Sequence, residues 1–309
     1  MNARDEQRGE RELIRRLAQR LGPQPGPLGF GDDLAPVAEG VGLLWSTDLL
    51  TDGVDFISTT HPWRAVGRKA LAVNLSDCAA CAAVPVAALC AVALCDQLSM
   101  ADAEELLAGL IECGRQYGCP LRGGDTNSWS APTVIAVTVI ARPAADAPPV
   151  GRSGARPGDR VYLTGPVGGS LLGRHLDPQP RLREALTINR ALRPTAMIDI
   201  SDGLVIDLWN ICSASGCGAE IDARLLDPLI HDDARERSRQ TGHDPLEHAL
   251  YDGEDFELIV IVPADVPEQR CRELGLLPLG RMTDHPAIAL ISADGSRREL
   301  ELRGWEHFT

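Results

Sequence analysis

Six short acidic clusters recur along this chain, and each lies beside glycine, serine or another small residue. Several of their carboxylates adjoin apolar segments, where an ionised carboxylate is costly to bury unless it is paired or bound to metal. Mg²⁺ takes oxygen ligands and commonly bridges carboxylates to substrate phosphates. The clusters therefore predict a fold that gathers carboxylates around metal, at a site that handles phosphates. They are Gly31-Asp32-Asp33, Ser46-Thr47-Asp48, Asn74-Leu75-Ser76-Asp77, Gly123-Gly124-Asp125-Thr126, Asp199-Ile200-Ser201-Asp202-Gly203 and Gly253-Glu254-Asp255.

Chain length and charge narrow the possibilities further. At 309 residues the chain exceeds one typical hydrophobic core, which predicts two domains. The apolar fraction of 44% and the charged fraction of 24% are ordinary for a globular protein. A net charge of −14 without a long basic block argues against nucleic acid as a partner. A phosphate ligand must therefore arrive with cations or meet a local basic patch.

The N-terminal sequence predicts a cytoplasmic protein. Residues 1–22 are charged throughout and lack the apolar region of a signal peptide. No stretch reaches the roughly 18 apolar residues that span a bilayer, so we expect no membrane partner. Nine cysteines are an odd number, which argues against a complete disulfide framework. Cys78-Ala-Ala-Cys81 has no second pair at zinc-ribbon spacing, and it is interpreted as buried structural cysteine.

The first residues predict a helix, a loop and a strand in turn. Apolar residues at helical spacing predict an amphipathic helix over Glu10–Leu21, and the prolines of Pro23–Pro27 predict a loop. The short apolar segment Val41–Ser46 predicts a strand, and polar Thr47 and Asp48 follow at its C-terminal end. Ligand sites commonly lie at such strand ends, so we expect oxygen ligands there.

A long Ala-rich helix is predicted next, from His61-Pro62 to Ala83. It places Asn74 and Asp77 three residues apart and therefore on one face. Ser99 and Asp102 form a capping pattern for a further helix. The other elements predicted in this half are a strand at 84–94, the capped helix running to Tyr117 with Gly118 ending it, and strands at 121–127 and 132–142.

A stretch rich in proline and glycine at residues 143–158 predicts a linker, and hence domains at 1–145 and 146–309. The second half again alternates, so the predicted fold class is mixed α/β in both domains. Its predicted strands lie at 160–164, 196–200, 218–222 and 256–262 with more strands to the end, and its helices lie near 168–192, 203–213, 231–249 and 265–274.

The strongest single candidate is Asp199, because Ile198 and Ile200 flank it within a strand pattern. Ser201-Asp202-Gly203 then predicts a strand-to-helix turn whose free N–H groups suit an anion. Gly165–Ser170 has the wrong spacing for a phosphate-binding P-loop and lacks its lysine, and it is interpreted as a strand-to-helix turn. The sequence also lacks the motifs of zincins, serine hydrolases and dinucleotide-binding folds.

The order and number of these motifs resemble those of the thiamine-monophosphate kinase family. The resemblance covers nearly the whole chain and includes Lys69-Ala-Leu-Ala-Val-Asn-Leu-Ser-Asp77, Ile198-Asp-Ile-Ser-Asp-Gly-Leu204 and Gly253-Glu-Asp-Phe-Glu257. That family belongs to the superfamily of aminoimidazole ribonucleotide synthetase-like ATP-binding proteins. The resemblance implies an N-terminal domain that binds metal and ATP and forms a homodimer through its sheet. It also implies a C-terminal α/β domain that completes the ATP and substrate site.

The resemblance further implies a reaction and the residues that perform it. ATP would donate its γ-phosphoryl group directly to the phosphate of thiamine monophosphate, in the last step of thiamine diphosphate biosynthesis. Asp125 and Asp202 would be catalytic. ATP would contact Gly124, Asp125, Arg152 and Ser201, and the thiamine substrate would lie against Asp55, Glu254 and Trp305. Several Mg²⁺ ions would be held by Asp33, Ser46, Thr47, Asp48, Asp77, Asp125, Asp199 and Asp202.

Two residues depart from the family pattern. Asp55 stands where the family usually has a histidine near the substrate, and Asp252 replaces the first glycine of Gly-Gly-Glu-Asp. Both substitutions are expected to add negative charge near the acceptor, which favours a cationic thiazolium and disfavours its phosphate.

Other members of the same superfamily are the alternatives. An enzyme similar to selenophosphate synthetase needs a reactive cysteine and lysine near its N-terminus, and residues 1–30 contain neither. A hydrogenase-maturation protein acts through a C-terminal cysteine, whereas this sequence ends in His307-Phe308-Thr309. A nucleotide-binding protein without turnover is the remaining alternative, and the intact set of acidic residues argues against it.

Overall fold

A computed structural model describes residues 16, 17, 19, 28, 32–37 and 42–307 of the chain. These residues form two β-sheets with associated helices, which confirms the predicted mixed α/β class. The helix predicted over Glu10–Leu21 and the loop predicted at Pro23–Pro27 lie largely outside the described residues.

The first sheet has five strands in the order β1-β2-β5-β3-β4. Strand β5 pairs antiparallel with both β2 and β3, whereas the edge strand β4 pairs parallel with β3. The strands are β1 (Ala35–Pro36), β2 (Leu44–Thr51), β3 (Ala83–Cys95), β4 (Leu121–Trp129) and β5 (Val134–Pro143).

Strand β2 is longer than the sequence predicted. We expected it to end before Thr47 and Asp48, but it pairs with β5 over eight residues, so both lie within the strand. Leu44 and Leu50 are buried on one face and Leu49 is exposed on the other, as expected for side chains that alternate along a strand. Asp48 is therefore carried on the inner face, in the sheet itself.

From residue 42 onward, the described part of this half contains two helices, α1 (Trp63–Ala80) and α2 (Met100–Tyr117). The Ser99 hydroxyl accepts the N–H of Asp102, which confirms the predicted cap, and Gly118 ends α2 with a φ of 68°. The helices touch at Gly67, where a Cβ atom would lie 1.8 Å from the main-chain oxygen of Leu106. Helix α1 packs on β2, β3 and β5, and also on an element of the other sheet.

The second sheet has seven strands in the order β12-β11-β8-β10-β6-β9-β7. Its strands are β6 (Arg160–Leu163), β7 (Ala196–Asp199), β8 (Gly218–Asp222), β9 (Leu258–Val262), β10 (Leu277–Thr283), β11 (Ile288–Ile291) and β12 (Arg297–Glu299). Its helices are α3 (Leu182–Leu192), α4 (Leu204–Ser215), α5 (Ala223–Leu226), α6 (Asp232–Thr241), α7 (Pro245–Tyr251) and α8 (Glu268–Glu273), with short 3₁₀ turns at Ser170–Leu172, Arg174–Leu176 and Asp227–Leu229.

Residues 144–159, close to the predicted linker, join the two sheets and contain neither a helix nor a named strand. The segment is nevertheless anchored, because Val150 is buried and its N–H donates to the Cys81 oxygen at 3.0 Å. Strand β7 and helix α3 both pack on α1. Helix α1 therefore connects the two halves of the molecule.

The cysteines agree with a structural interpretation. All nine are free thiols, and burial raises the pKa of both Cys78 and Cys81 well above the ordinary value. In the described ranges we find no helix long and apolar enough to cross a membrane. The cytoplasmic location stays a prediction of the sequence.

Candidate active site

Three aspartates from distant parts of the sequence meet where the two sheets approach each other. Asp33 lies just before β1, Asp77 lies in the last turn of α1, and Asp199 ends β7. One carboxylate oxygen of each lies within 4.8 Å of the others. Because these side chains come from both halves of the chain, the fold itself creates the cluster.

A fourth carboxylate, that of Asp48, adjoins this cluster. Burial, with the negative charges of Asp33 and Asp55, raises the pKa of Asp48 to about 6. Burial and neighbouring carboxylates also raise the pKa of Asp77 well above its ordinary value and that of Asp199 to about 7. The Oδ2 atom of Asp48 is buried and has no hydrogen-bond partner in the described part of the chain. We call Asp33, Asp48, Asp77 and Asp199 the metal-site carboxylates.

Hydroxyl and amide groups hold these carboxylates in place. Ser76 donates to the Oδ2 atom of Asp199 at 2.5 Å, which ties α1 to β7. Ser46 donates to the Oδ1 atom of Asn74 at 3.3 Å and also hydrogen-bonds to Asp77. Ser46 and Asp48 lie two residues apart on β2, so both face α1.

The Thr47 hydroxyl faces the opposite side of β2. It donates to the main-chain oxygen of Val137 at 3.1 Å and accepts from the Thr138 hydroxyl at 3.0 Å. The structure therefore does not bring this hydroxyl to the metal-site carboxylates. Strand alternation explains why, once the strand is known to continue past Asp48.

One guanidinium, that of Arg152, contacts the metal-site carboxylates within the described residues. Its Nη2 atom lies 2.5 Å from the Oδ1 atom of Asp33, and its main-chain N–H donates to Asp32 at 2.8 Å. A single positive charge does not neutralise four carboxylates. The residues therefore fit a hard divalent cation, which would bind oxygen donors and also satisfy the partnerless Asp48 oxygen.

The turn after β7 differs from the sequence-based interpretation. The main-chain N–H groups of Ser201, Asp202 and Gly203 all donate to the Oδ2 atom of Asp207, at 3.1, 3.0 and 3.0 Å. The interpretation of these N–H groups as free for an anion is therefore wrong, because the buried Asp207 already occupies them. The sequence did contain a signal for Asp207, which stands between Ile206 and Leu208 in an otherwise apolar segment of α4.

Asp125 lies away from the metal-site carboxylates of its own chain. It is exposed on the edge strand β4, three strands from β2. Its cross-strand partners Ala91, Ala136 and Leu49 lie on the outer face, whereas Asp48 lies on the inner one. The preceding residue is glycine for a steric reason, since a Cβ atom on Gly124 would lie 1.7 Å from the Cys90 oxygen.

The residues expected to meet the thiamine substrate lie near the Ser201–Asp202 turn. The main-chain N–H of Glu254 donates to Ser201 O at 2.7 Å, and that of Trp305 donates to Asp202 O at 2.9 Å. Glu254 also forms an ion pair with Lys69, whose ammonium donates to the main-chain oxygen of Asp55 at 2.7 Å. Burial raises the pKa of Glu254, and the charge of Lys69 opposes that shift.

The two departures from the family pattern are accommodated differently. Asp252 forms an ion pair with Arg237 at 3.3 Å, and its Oδ2 atom lies 3.0 Å from the Nδ1 atom of His248, so partners within the protein meet the charge that it adds. The Asp55 carboxylate accepts the N–H of Thr51 at 2.7 Å. Asp55 therefore uses its carboxylate to shape its own loop.

The carboxylates on either side of Glu254 form a second acidic group. Asp255 accepts the N–H of Gly168 at 2.7 Å and pairs with Arg174 at 3.1 Å. Glu257 pairs with Arg181 and accepts the Thr164 hydroxyl at 2.6 Å. We call Asp252, Asp255 and Glu257 the paired carboxylates.

Comparison with known proteins identifies the class of the fold and then the family. The protein family described as AIR synthase related protein, N-terminal domain, matches residues 31–142 of this chain. These residues span β2 to β5 and contain Asp33, Asp48 and Asp77. The hydrogenase maturation protein HypE in complex with ATP shares the fold, with a TM-score of 0.71 at 21% identity over 93% of each chain. The molecule thus has the fold of AIR synthase-related proteins.

Closer relatives are more specific. Thiamine-monophosphate kinase of Rhodopirellula baltica is 39% identical over 245 residues, which cover 76% of each chain. A structure described as AaThiL complexed with AMPPCP and TMP has a TM-score of 0.84 at 29% identity and covers 100% of this chain and 99% of its own. The chain belongs to the thiamine-monophosphate kinase family, which confirms the resemblance seen in the sequence.

Proposed function

We propose that this protein transfers the γ-phosphoryl group of ATP to the phosphate of thiamine monophosphate, giving thiamine diphosphate and ADP. The observation that carries the proposal is the set of metal-site carboxylates, four buried or half-buried acids from both halves of a chain that belongs to this kinase family. In phosphoryl transfer the protein contributes mainly positioning and charge stabilisation. The phosphate acceptor is already ionised at neutral pH, so the reaction needs no strong base.

The donor set indicates which residues would hold Mg²⁺. Asp33, Asp48, Asp77 and Asp199 offer carboxylates on one buried cluster, and Ser46 lies beside them. When bound, Mg²⁺ supplies the positive charge that stabilises the transferring phosphoryl group and templates the two substrates. Asp125 and Asp202 are the other carboxylates of the predicted metal set, and they are the residues we place closest to the reaction. Thr47 is not retained in this set, because its hydroxyl faces the opposite side of β2.

The remaining residues position the two substrates. Gly124, Arg152 and Ser201 are proposed to contact ATP, and Asp207 fixes the turn that carries Ser201 and Asp202 through three main-chain hydrogen bonds. Glu254 offers a carboxylate to the cationic thiazolium. Trp305 is 52% exposed, and its ring can stack on an aromatic substrate.

A homodimer through the first sheet is part of this proposal. The sheet face opposite α1 exposes large apolar side chains, with Trp45 46% and Leu49 61% exposed, and Leu89 lies on the same face. A second copy that covers this face would also meet the edge strand β4. Such a dimer accounts for Asp125, which lies on the outer face and about 14 Å from β2 along the sheet. We infer that Asp125 completes the site of the partner subunit.

The test of function is an ADP-release assay with Mg²⁺-ATP and purified protein. Thiamine monophosphate, free thiamine and an aminoimidazole precursor are compared as acceptors, and the product is identified by mass. We expect thiamine diphosphate only from the monophosphate. If Mg²⁺-ATP binds but no ADP is released with thiamine monophosphate, the proposal is overturned.

Subunit complementation tests the dimer and the place of Asp125. Asp125→Asn and Asp77→Asn should each abolish turnover. If Asp125 acts across the interface, a randomly mixed population of the two variants contains dimers with one intact site, and about a quarter of the wild-type activity returns. No recovery in a mixture shown to exchange subunits would place Asp125 in the site of its own chain.

A further inference from the structure

Lys69 is unusual in both composition and position. Of the 30 lysine and arginine residues in the chain, it alone is lysine. Its side chain is 1% exposed within α1. The ammonium donates to the main-chain oxygen of Asp55 at 2.7 Å and lies 2.5 Å from the Oε1 atom of Glu254. A buried ammonium requires such partners, so this one is committed to two groups near the acceptor site.

The Glu254 side of the contact is equally constrained. Glu254 has a φ of 61°, a left-handed conformation that residues other than glycine rarely adopt. Its neighbour Gly253 packs closely on the Ser201 oxygen, where a Cβ atom would lie at 2.4 Å. The Glu254 side chain is 24% exposed, and its Oε2 atom makes no hydrogen bond with the described residues. One carboxylate oxygen is thus held by Lys69, and the other is available to a ligand.

We propose that Lys69 is a positioning residue that fixes the Glu254 carboxylate for recognition of the cationic heteroaromatic part of the acceptor. This inference rests on the proposed function. Lys69 belongs to the first half of the chain and Glu254 to the second, and 185 residues separate them. Recognition of the acceptor therefore depends on the correct seating of the two halves on each other.

The geometry also explains why this position holds lysine. A lysine ammonium is a compact charge with donors that can point in different directions, whereas the arginine guanidinium is a larger planar fork. At Lys69 the acceptors belong to two different segments, the Asp55 loop and the Glu254 turn. Arginine forms the ion pairs with Asp33, Asp255 and Glu257. The contact with Glu254 and the Asp55 oxygen suits the compact ammonium of lysine instead.

Steady-state kinetics of three variants test the proposal. Lys69→Met keeps an unbranched side chain of nearly the same length and removes its charge. Glu254→Gln removes the recognising carboxylate, and the third variant combines both. We expect Lys69→Met to raise the KM for thiamine monophosphate at least about tenfold while the KM for ATP stays within about twofold. The double variant should be no more than about twofold worse than Glu254→Gln, because Lys69 acts through that side chain.

Arg181→Met is the matched control, because it breaks another buried ion pair, that with Glu257. We expect it to lower the melting temperature without a selective change in either KM. Equal increases of both KM values in Lys69→Met, or effects that multiply fully in the double variant, would show a purely structural role and overturn the proposal.

Because the chain has one lysine, NMR offers a second test in the wild-type protein. Protein labelled with ¹³C at lysine Cε gives one side-chain signal. We expect this signal to shift on addition of thiamine monophosphate and to shift less with a Mg²⁺-bound ATP analogue alone. An unchanged signal at saturating thiamine monophosphate would overturn the proposal even if Lys69→Met does not fold. If instead the proposed function is wrong, the wild-type protein will release no ADP with thiamine monophosphate. That result is distinct from failure of the Lys69 proposal, which concerns the variants and the lysine signal.

Discussion

The metal-site carboxylates and the paired carboxylates are both buried or half-buried, yet they are stabilised in opposite ways. Among the described residues, the four metal-site carboxylates share one arginine, Arg152, and leave an oxygen of Asp48 without a partner. Each paired carboxylate has its own cation, since Asp252 pairs with Arg237, Asp255 with Arg174 and Glu257 with Arg181. A dense group of acidic residues can therefore stabilise the fold or bind metal. The number of cationic side chains that pair with the group distinguishes the two roles.

Burial alone does not separate the groups. It raises the pKa of Asp255 to about 7, as it does for Asp199, although Arg174 and the Gly168 N–H pull the Asp255 value down. The difference lies in what remains unsatisfied when the carboxylates are ionised. The paired group is complete within the protein, whereas the metal-site group needs an external cation.

The largest expected effect comes from neutralising a metal-site carboxylate. Asp77→Asn should lower kcat at least about 1000-fold, because it removes a ligand for the cation that stabilises the transferring phosphoryl group. The metal-free melting temperature should not fall, since the change removes a buried like-charge repulsion. Turnover at saturating Mg²⁺-ATP and thiamine monophosphate measures the first effect. Activity within tenfold of wild type would remove Asp77 from the metal site.

The same kind of change in the paired group should act on stability instead. Asp255→Ala leaves the Gly168 N–H and one contact of Arg174 without an acceptor, so the free energy of unfolding should fall by about 2 to 4 kcal/mol. The folded fraction should retain kcat within about tenfold. Urea denaturation measures the loss, and an unchanged unfolding free energy would contradict the distinction between the two groups.

The pH dependence of stability sharpens the comparison in metal-free protein. The Asp48 pKa is about 6 in the fold and near 3.8 in the unfolded chain, so the folded state binds the proton more tightly. This carboxylate therefore destabilises the fold as pH rises from about 4, and the loss is complete above about 6. Asp48→Asn removes the penalty and should be more stable than wild type by about 3 kcal/mol at pH 7, with almost no advantage below pH 4.

Thermal melts of both proteins in chelator from pH 4 to 8 would show this difference. Saturating Mg²⁺ should reverse it, because only the wild type keeps the complete ligand set. Parallel stability curves for the two proteins in chelator would mean that Asp48 carries no penalty.

The smallest effect is expected at Trp305, which is about half exposed and contacts the His307 ring. Trp305→Ala should raise the KM for thiamine monophosphate by about three- to tenfold, in line with roughly 1 kcal/mol of stacking, and should leave the KM for ATP within about twofold. Trp305→Phe should recover most of the loss because it retains an aromatic ring. An unchanged KM for the thiamine substrate in Trp305→Ala would remove the ring from the acceptor site.

Local chemistry made much of the fold predictable. The Ser99 cap and Gly118 defined α2 closely, because caps and left-handed glycines act within a few residues. The placement of Asp77 and Asp199 in apolar segments indicated that burial would need a cation. These are features that a sequence records directly.

The orientation of side chains was harder to predict. Thr47 was grouped with Ser46 and Asp48 because the strand was expected to end there, and the period of two applied only once the strand was seen to continue. Asp125 was grouped with the same set, although the strand order separates it from them. The contact of Lys69 with Glu254 spans 185 residues, so no local pattern contains it.

Helix α1 carries both Lys69, beside the acceptor carboxylate, and Asp77, in the metal cluster. Eight residues separate them, which corresponds to about 12 Å along a helix axis. The helix therefore fixes the distance between the acceptor carboxylate beside Lys69 and the metal cluster at Asp77. One inserted residue between these positions would turn the ends by about 100° relative to each other, so this stretch should tolerate substitutions far better than any change in length.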